Sequence, residues 1–291
     1  MRGIAFMAAG MFLFSAVDTQ AKFLTQTLHP IQVVWSRQLG LVLGVFLILG
    51  FRGWSVLRTA HPRLQVARGA AAAGSAALFI IAIRYVPLAD AVAVSFIAPF
   101  IVTVLGALIL REPVGLRRWS AVTIGFLATL VVIRPGTGAL HPAVFLVVVA
   151  AALFAIRQII SRLISGSDST VTTVAYTALI SVAILSVPMP FVWQMPATSF
   201  EITLLFTMAI MAAAAETLVI RALEVAQAVI VAPLQYTLIL WSTMYGYLVF
   251  ADLPDFWTWI GALIIVATGI YTLNRERIVV RQRKIAAKPG P

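Results

Sequence analysis

Cysteine is absent from this 291-residue sequence, so it has neither a disulfide framework nor a thiolate metal site. Histidine occurs three times (His29, His61 and His141), always at the end of an apolar run, which argues against a histidine metal cluster. Charge is scarce. Only 11% of residues are charged, against about 25% in an average soluble domain. No HExxH, no carboxylate pair on one helix and no Walker-type glycine loop is present, so the residues for zinc hydrolysis, paired acid–base chemistry and ATP hydrolysis are missing. The expectation is no catalytic residue, no metal and no cofactor.

Apolar residues are what the chain has instead, at 62%. No soluble core of this length hides so much apolar surface, so lipid is the expected solvent. A helix needs about 20 apolar residues to cross a bilayer. Ten stretches qualify, approximately 4–24, 31–51, 64–83, 88–110, 119–133, 143–164, 171–192, 202–221, 226–250 and 257–273. The first has the look of a signal peptide, with Arg2 ahead of an apolar core. Asp18 and Lys22 interrupt it, however, and it is echoed in mid-chain, so it is read as a membrane helix.

The sequence also repeats itself. IRYVPLADAVAVSFIAP (83–99) returns 137 positions later as IRALEVAQAVIVAP (220–233). FSAVDTQAKFL (14–24) is answered by FAIRQIISRLI (154–164), with Lys22 matched by Arg162, and RRWSAVTIGFLATL (117–130) by WTWIGALIIVATGI (257–270). Five spans per copy is an odd number, so the second copy enters the membrane from the opposite side. The fold expected is an all-α integral membrane protein of ten transmembrane helices, built as two inverted five-helix repeats, residues 1–138 and 139–274, with a basic tail at 275–291.

The net charge of +11 is read from its placement. With the N-terminus inside, the inner loops hold Arg52, Arg58, Arg63 and Arg68, then Arg111, Arg117 and Arg118, then Arg162 and Arg221, and the tail adds Arg275 to Lys288. The other side carries Lys22, Arg84 and Arg134 with the acidic Glu201, Asp252 and Asp255. This bias predicts a multi-pass protein of a bacterial-type inner membrane with both termini cytoplasmic, and no nucleic-acid partner. The tail is expected to act as a topology signal or to hold anionic lipid.

The five-plus-five pattern, LADAVAVSFIAPF, ILREPVGLRRWSAVTIGFLATLVVIRPG and its weaker copy YLVFADLPDFWTWIGALIIVATGIY together resemble EamA-type carriers of the drug/metabolite transporter superfamily. The resemblance covers all but the tail. It implies a central cavity lined by the first, third, fourth, sixth, eighth and ninth spans, and secondary transport by alternating access. It leaves the substrate open. Family members export amino acids, and others take up or exchange S-adenosylmethionine, riboflavin or nucleotide-like compounds.

Ionisable residues inside spans are costly and are therefore the first functional candidates. At ~1.5 Å rise per residue, Asp18 and Arg37 both lie about 10 Å below the outer surface. Arg157 and Glu216 share a depth from the inner side. One reading is a charged cluster near each mouth, closing it in turn. In the other, Arg37 snorkels to the interface and Arg157 anchors its helix. Asp18 and Glu216 are also candidate proton carriers, the alternative being a hydrogen bond to a neighbouring helix. Pro99 and Pro233 fall inside spans and predict a bend or hinge, or a static kink. Ser95, Pro99 and Thr103 give one span a small polar face, and Gln158 and Gln235 add neutral donors at depth.

Phe79, Tyr236 and Trp241 are candidates to stack on a flat or amphiphilic substrate, or simply to pack, the preferred reading for Trp241. Gly40 and Gly44 form a GxxxG, and Gly69 to Ala77 a small-residue run, both read as helix packing. The leading function is export of an amino acid or similar amphiphilic solute. The alternative is uptake or exchange of a larger ring-bearing metabolite such as S-adenosylmethionine, riboflavin or a nucleoside. A membrane enzyme lacks its catalytic groups, and a scaffold lacks a soluble domain.

Overall fold

The computed structural model describes residues 2–111, 115–135, 141–226 and 231–286, without the side chains of 117, 118, 232 and 272–286. Among these residues the chain is helical and has no strand. The first part holds α1 (Arg2–Leu24), α2 (Pro30–Arg52), α3 (Pro62–Ile83), α4 (Leu88–Ser95), α5 (Ala98–Ile109) and α6 (Leu116–Ile133). The second holds α7 (Val144–Ile164), α8 (Thr170–Ser186), the short α9 (Met189–Val192), α10 (Ser199–Val225), α11 (Thr237–Phe250) and α12 (Phe256–Ala286). A 3₁₀ segment, Ala232–Tyr236, runs into α11.

Six helical stretches are long and apolar enough to cross a bilayer: 2–24, 30–52, 62–83, 88–109, 144–164 and 199–225. Trp119–Ile133, Thr170–Ser186 and Phe256–Tyr271 are shorter apolar helices. Large apolar side chains stand on the outside, among them Phe51, Phe206, Leu263 and Leu47. Such a surface belongs against lipid, and the chain is a multi-pass membrane protein.

Local chemistry starts and stops these helices. Proline opens α2 and α3, where its missing N–H costs no helix bond. Ser169 caps α8 by accepting from the Thr172 N–H, and Thr198 caps α10 by accepting from the Glu201 N–H. The span expected over 88–110 is not continuous. It breaks at Phe96 and Ile97, and Pro99 sits in the first turn of α5 rather than kinking a helix from within. Pro233 likewise stands at the start of the 3₁₀ segment. Proline has no N–H to continue a preceding helix, so each marks a restart.

Small residues set the packing. α1 lies along α10, where a Cβ on Gly3 or Gly10 would press on Ala226 or Val219. α3 packs on α7 and α8 through Gly74 against Leu153 and Gly69 against Ile180. The GxxxG of α2 is half used. A Cβ on Gly40 would collide with the Ala209 backbone of α10, whereas one on Gly44 meets nothing within 4 Å. The other close neighbours are α2 with α10 and α8, α1 with α11, α7 with α5 and α4, α4 with α11, and α6 with α12.

Candidate functional site

The helix ends gather the charged residues into two groups, at opposite ends of the bundle. At the first, called here the Lys22 end, α1 runs out at Lys22, whose ammonium donates to Asp252 Oδ2 at 2.9 Å and to the Val86 carbonyl at 3.3 Å. The same ammonium lies 4.8 Å from the Phe250 ring centroid. Ala251, in the left-handed region at φ 56°, turns the chain so that Asp252 reaches back. Arg134 pairs with Asp255, and the Thr27 hydroxyl donates to Glu201 at 2.7 Å. Asp90 is buried at the start of α4, within electrostatic range of Asp255, Arg134 and Lys22. Burial alone would raise the Asp255 carboxyl. The Thr258 N–H and the Arg134 guanidinium outweigh it and hold the group below its ordinary range.

One helical turn below Lys22, Arg37 donates to Asp18 at 3.1 Å. Equal depth had brought these two residues into consideration, and the fold brings them into contact. Both are largely buried, and Arg37 lies over the Phe14 ring. Around this level sits the largest apolar cluster among the described residues, including Val17, Leu24, Val33, Ile80, Val92, Val147 and Met208.

The opposite, Arg68 end is organised differently. Arg68, placed by its sequence among loop cations, is buried within α3. Its Nε donates to Ser161 of α7 at 2.7 Å, and its Nη1 donates to the Thr173 carbonyl at 3.2 Å and to the Thr177 hydroxyl. Asp168, in the turn between α7 and α8, accepts from Thr59 at 2.5 Å, Gln65 at 2.8 Å and the Ala60 N–H at 3.1 Å. These hydrogen bonds, Thr59 first, hold its carboxyl below the ordinary carboxylate value. A cleft of about 360 Å³ opens near here between α2, α8 and α10, beside Arg52, Thr217, Arg221 and Glu224. None of the expected substrate residues lines it.

Arg157 and Glu216, at one depth, were candidates to pair. They do not pair. The ion pairs among the described residues are Lys22–Asp252, Arg37–Asp18, Arg134–Asp255 and Arg221–Glu224. Arg157 is half-buried on α7, its guanidinium 4.9 Å from the Phe154 ring and its buried Nε without a partner. Glu216 is half-buried on α10, close enough to act electrostatically on Arg157 and Arg68. The cause is the bundle itself: α7 packs on α3, α4 and α5, whereas α10 packs on α1 and α2.

The remaining candidates are scattered. Tyr236 is buried against Phe96, ring centroids 4.9 Å apart, and its hydroxyl packs onto Gly269. Trp241 stands edge-on to Phe12 at 5.2 Å, with its buried indole N–H unpartnered. Phe79 packs on this apolar cluster, and Gln158 is half-buried beside Arg157. Gln235 and Pro99 are exposed. The Ser95 and Thr103 hydroxyls are bound to the carbonyls of Val92 and Pro99, so the polar face expected there is turned onto its own backbone. Sequence reasoning passed over Arg68, Asp90 and the Lys22–Asp252 contact. The match of Lys22 with Arg162 was the one available signal for the last.

Comparison with known proteins follows the same lines. The chain is 26% identical over 279 residues to an S-adenosylmethionine uptake transporter of Rickettsia prowazekii, covering 95% of this chain and 94% of that one. It is 27% identical to a pseudopaline exporter of Pseudomonas aeruginosa, over 94% of this chain and 96% of the relative. To a riboflavin transporter of Vibrio cholerae it is 31% identical, over 72% and 71%. A crystal structure of a protein 17% identical superposes with a TM-score of 0.64, over 95% of this chain and 98% of the other, and shares the fold. Residues 1–134 and again 141–275 match the EamA-like transporter family. With both matches on a bundle of lipid-facing helices, the chain belongs to the EamA-like transporter family.

Proposed function

We propose that this protein is a secondary carrier of a small amino-acid-like metabolite, working by alternating access between two inverted repeats, residues 1–138 and 139–274. The observation that carries the reading is the pattern of helix packing. α1 packs on α10 and α11 as α7 packs on α3 and on α4–α5. α2 packs on α10 as α8 packs on α3. The pairs α2–α8, α4–α11 and α6–α12 join equivalent elements. Exchanging the two halves therefore regenerates these pairs of neighbours. Arg111 and Ala251, 140 positions apart, both adopt left-handed backbone just past α5 and α11. Two halves that can trade places give two states of similar energy, one open to each side.

In this reading ten helices span an inner membrane with both termini cytoplasmic, and the basic tail from Arg275 lies inside. The Lys22 end then faces outward and is the closed one. Asp18 and Arg37 belong to that closure, so Asp18 is assigned to the gate rather than to a proton. S-adenosylmethionine is the first substrate to try. Four relatives named as uptake transporters for it align over 94–97% of this chain. It also joins an amino-acid head to a purine ring, and so meets both substrate classes raised by the sequence. Uptake or exchange takes precedence over export for the same reason.

Purified protein in liposomes loaded with unlabelled S-adenosylmethionine should accumulate the labelled compound by counterflow. Riboflavin, adenosine and methionine would be run beside it, with and without a pH gradient. Saturable flux of riboflavin alone would replace the substrate and keep the carrier. No flux of any solute would refute transport of these classes.

A further inference from the structure

We infer that Arg157 and Glu216 form the two poles of a site for a zwitterionic α-amino-acid head, the carboxylate held by Arg157 and the ammonium by Glu216. The inference rests on the carrier reading above and names the chemistry that its site recognises. The other cations described at membrane depth have hydrogen-bond acceptors for their donor groups. Arg37 is on Asp18, Lys22 is on Asp252, and Arg68 is used up by Ser161, Thr173 and Thr177. Arg157, deep in α7, keeps its buried Nε without a hydrogen-bond partner and takes part in no ion pair among the described residues. Glu216, the opposite charge, accepts no hydrogen bond from any described residue and lies in its electrostatic range without touching it.

Two opposite charges held apart inside a membrane protein are costly unless something comes between them. The helices that carry them do not pack on each other. α7 lies on α3 and α10 on α1, and α1 in turn meets α3, so each charge stands on a helix that packs on a different one of these two spans. A guanidinium binds a carboxylate through two parallel N–H donors, and the Phe154 face under Arg157 holds its plane. A carboxylate accepts from an ammonium in the same way with the sign reversed. An α-amino acid carries both groups on one carbon, so one small head satisfies both poles at once. Water bridging the same gap would leave the charges paired without selecting any solute.

The test uses the full chain, purified, and competition against labelled S-adenosylmethionine. Decarboxylated S-adenosylmethionine lacks the carboxylate, its deaminated 2-oxo acid analogue lacks the ammonium, and methylthioadenosine lacks the whole head. Wild type should prefer the intact head over each trimmed ligand by about tenfold or more, the size of one charge-assisted contact. Arg157→Gln should abolish the preference over the decarboxylated ligand and keep the preference over the deaminated one. Glu216→Gln should do the reverse. Arg157→Lys and Glu216→Asp, which keep charge, should retain part of each preference, and melting curves check that all four variants fold. Equal binding of methylthioadenosine and S-adenosylmethionine by wild type would overturn the site, as would variants that weaken all ligands alike, the signature of a water-bridged structural pair. Flux of riboflavin with no binding of any head-bearing ligand would overturn it while leaving the carrier reading in place. No flux of any solute would remove both.

Discussion

The two ends of the bundle treat charge in opposite ways. At the Lys22 end two cations lie on anions from the other part of the chain, Lys22 on Asp252 and Arg134 on Asp255, with Asp18–Arg37 beneath, beside a large apolar cluster. At the Arg68 end hydroxyls and carbonyls satisfy Arg68, while Arg157 and Glu216 stay apart. Paired charges across an interface tie the two parts of the chain together. Unpaired ones inside a membrane mark where a ligand is expected. The tie at Lys22 is also weak. Asp252 is 40% exposed, and an ion pair with one wet partner contributes no more than about 1 kcal/mol.

The sharpest way to break this contrast is to unpair the buried members. Asp18→Ala strands Arg37 in an apolar setting and should destabilise the protein by about 3 kcal/mol, read by chemical unfolding in detergent. Asp18→Leu with Arg37→Leu should recover most of that loss, and a double variant as unstable as the single one would show that the pair is not the unit. At the other end Arg68→Ala removes three hydrogen bonds from a charged donor to α7 and α8 and should cost about 2 kcal/mol by the same assay.

Lys22→Ala should cost under about 1 kcal/mol but shift the conformational balance. Because the chain lacks cysteine, Ala89→Cys, buried in α4 three residues after the Val86 carbonyl that Lys22 binds, is a clean reporter. Its labelling by an impermeant maleimide should speed up in the Lys22→Ala background. An unchanged labelling rate would mean that Lys22 holds nothing shut. The smallest effect is expected at Asp168. Its carboxyl is held below the ordinary value, so its contribution is complete above about pH 4 and fades as pH falls through the lowered value. Asp168→Asn should lower stability by roughly 1 kcal/mol at pH 7, with the gap to wild type closing on acidification.

How far the sequence reaches is clearest residue by residue. Counting from helix ends placed Asp18 and Arg37 at one depth, and they touch. The same counting brought Arg157 and Glu216 to one level and failed to see the gap between them, because depth is a property of one helix and facing is a property of two. Arg68 followed other arginines and was grouped with loop cations. Only the neighbouring Ser161 and Thr177, more than 90 positions away, show why a buried arginine is tolerated there. Gly40 and Gly44 are equivalent by motif, yet only Gly40 meets a neighbouring backbone. Tyr236 was a candidate for stacking on a substrate, and only the fold shows that its ring packs on Phe96 and its hydroxyl on Gly269.

Hydropathy and repetition are one-dimensional, so the sequence by itself determined the membrane as solvent, the long apolar helices and the family. It also determined the absence of thiol chemistry and the short list of charges worth asking about. Only the tertiary structure decided which charges meet. Two helices brought side by side cancel Asp18 against Arg37 and Lys22 against Asp252, and two helices kept apart leave Arg157 and Glu216 uncancelled. The physical reason is range. Burying apolar surface needs only composition and period, whereas pairing a charge inside lipid needs a partner within a few ångströms, and that distance is set by packing alone.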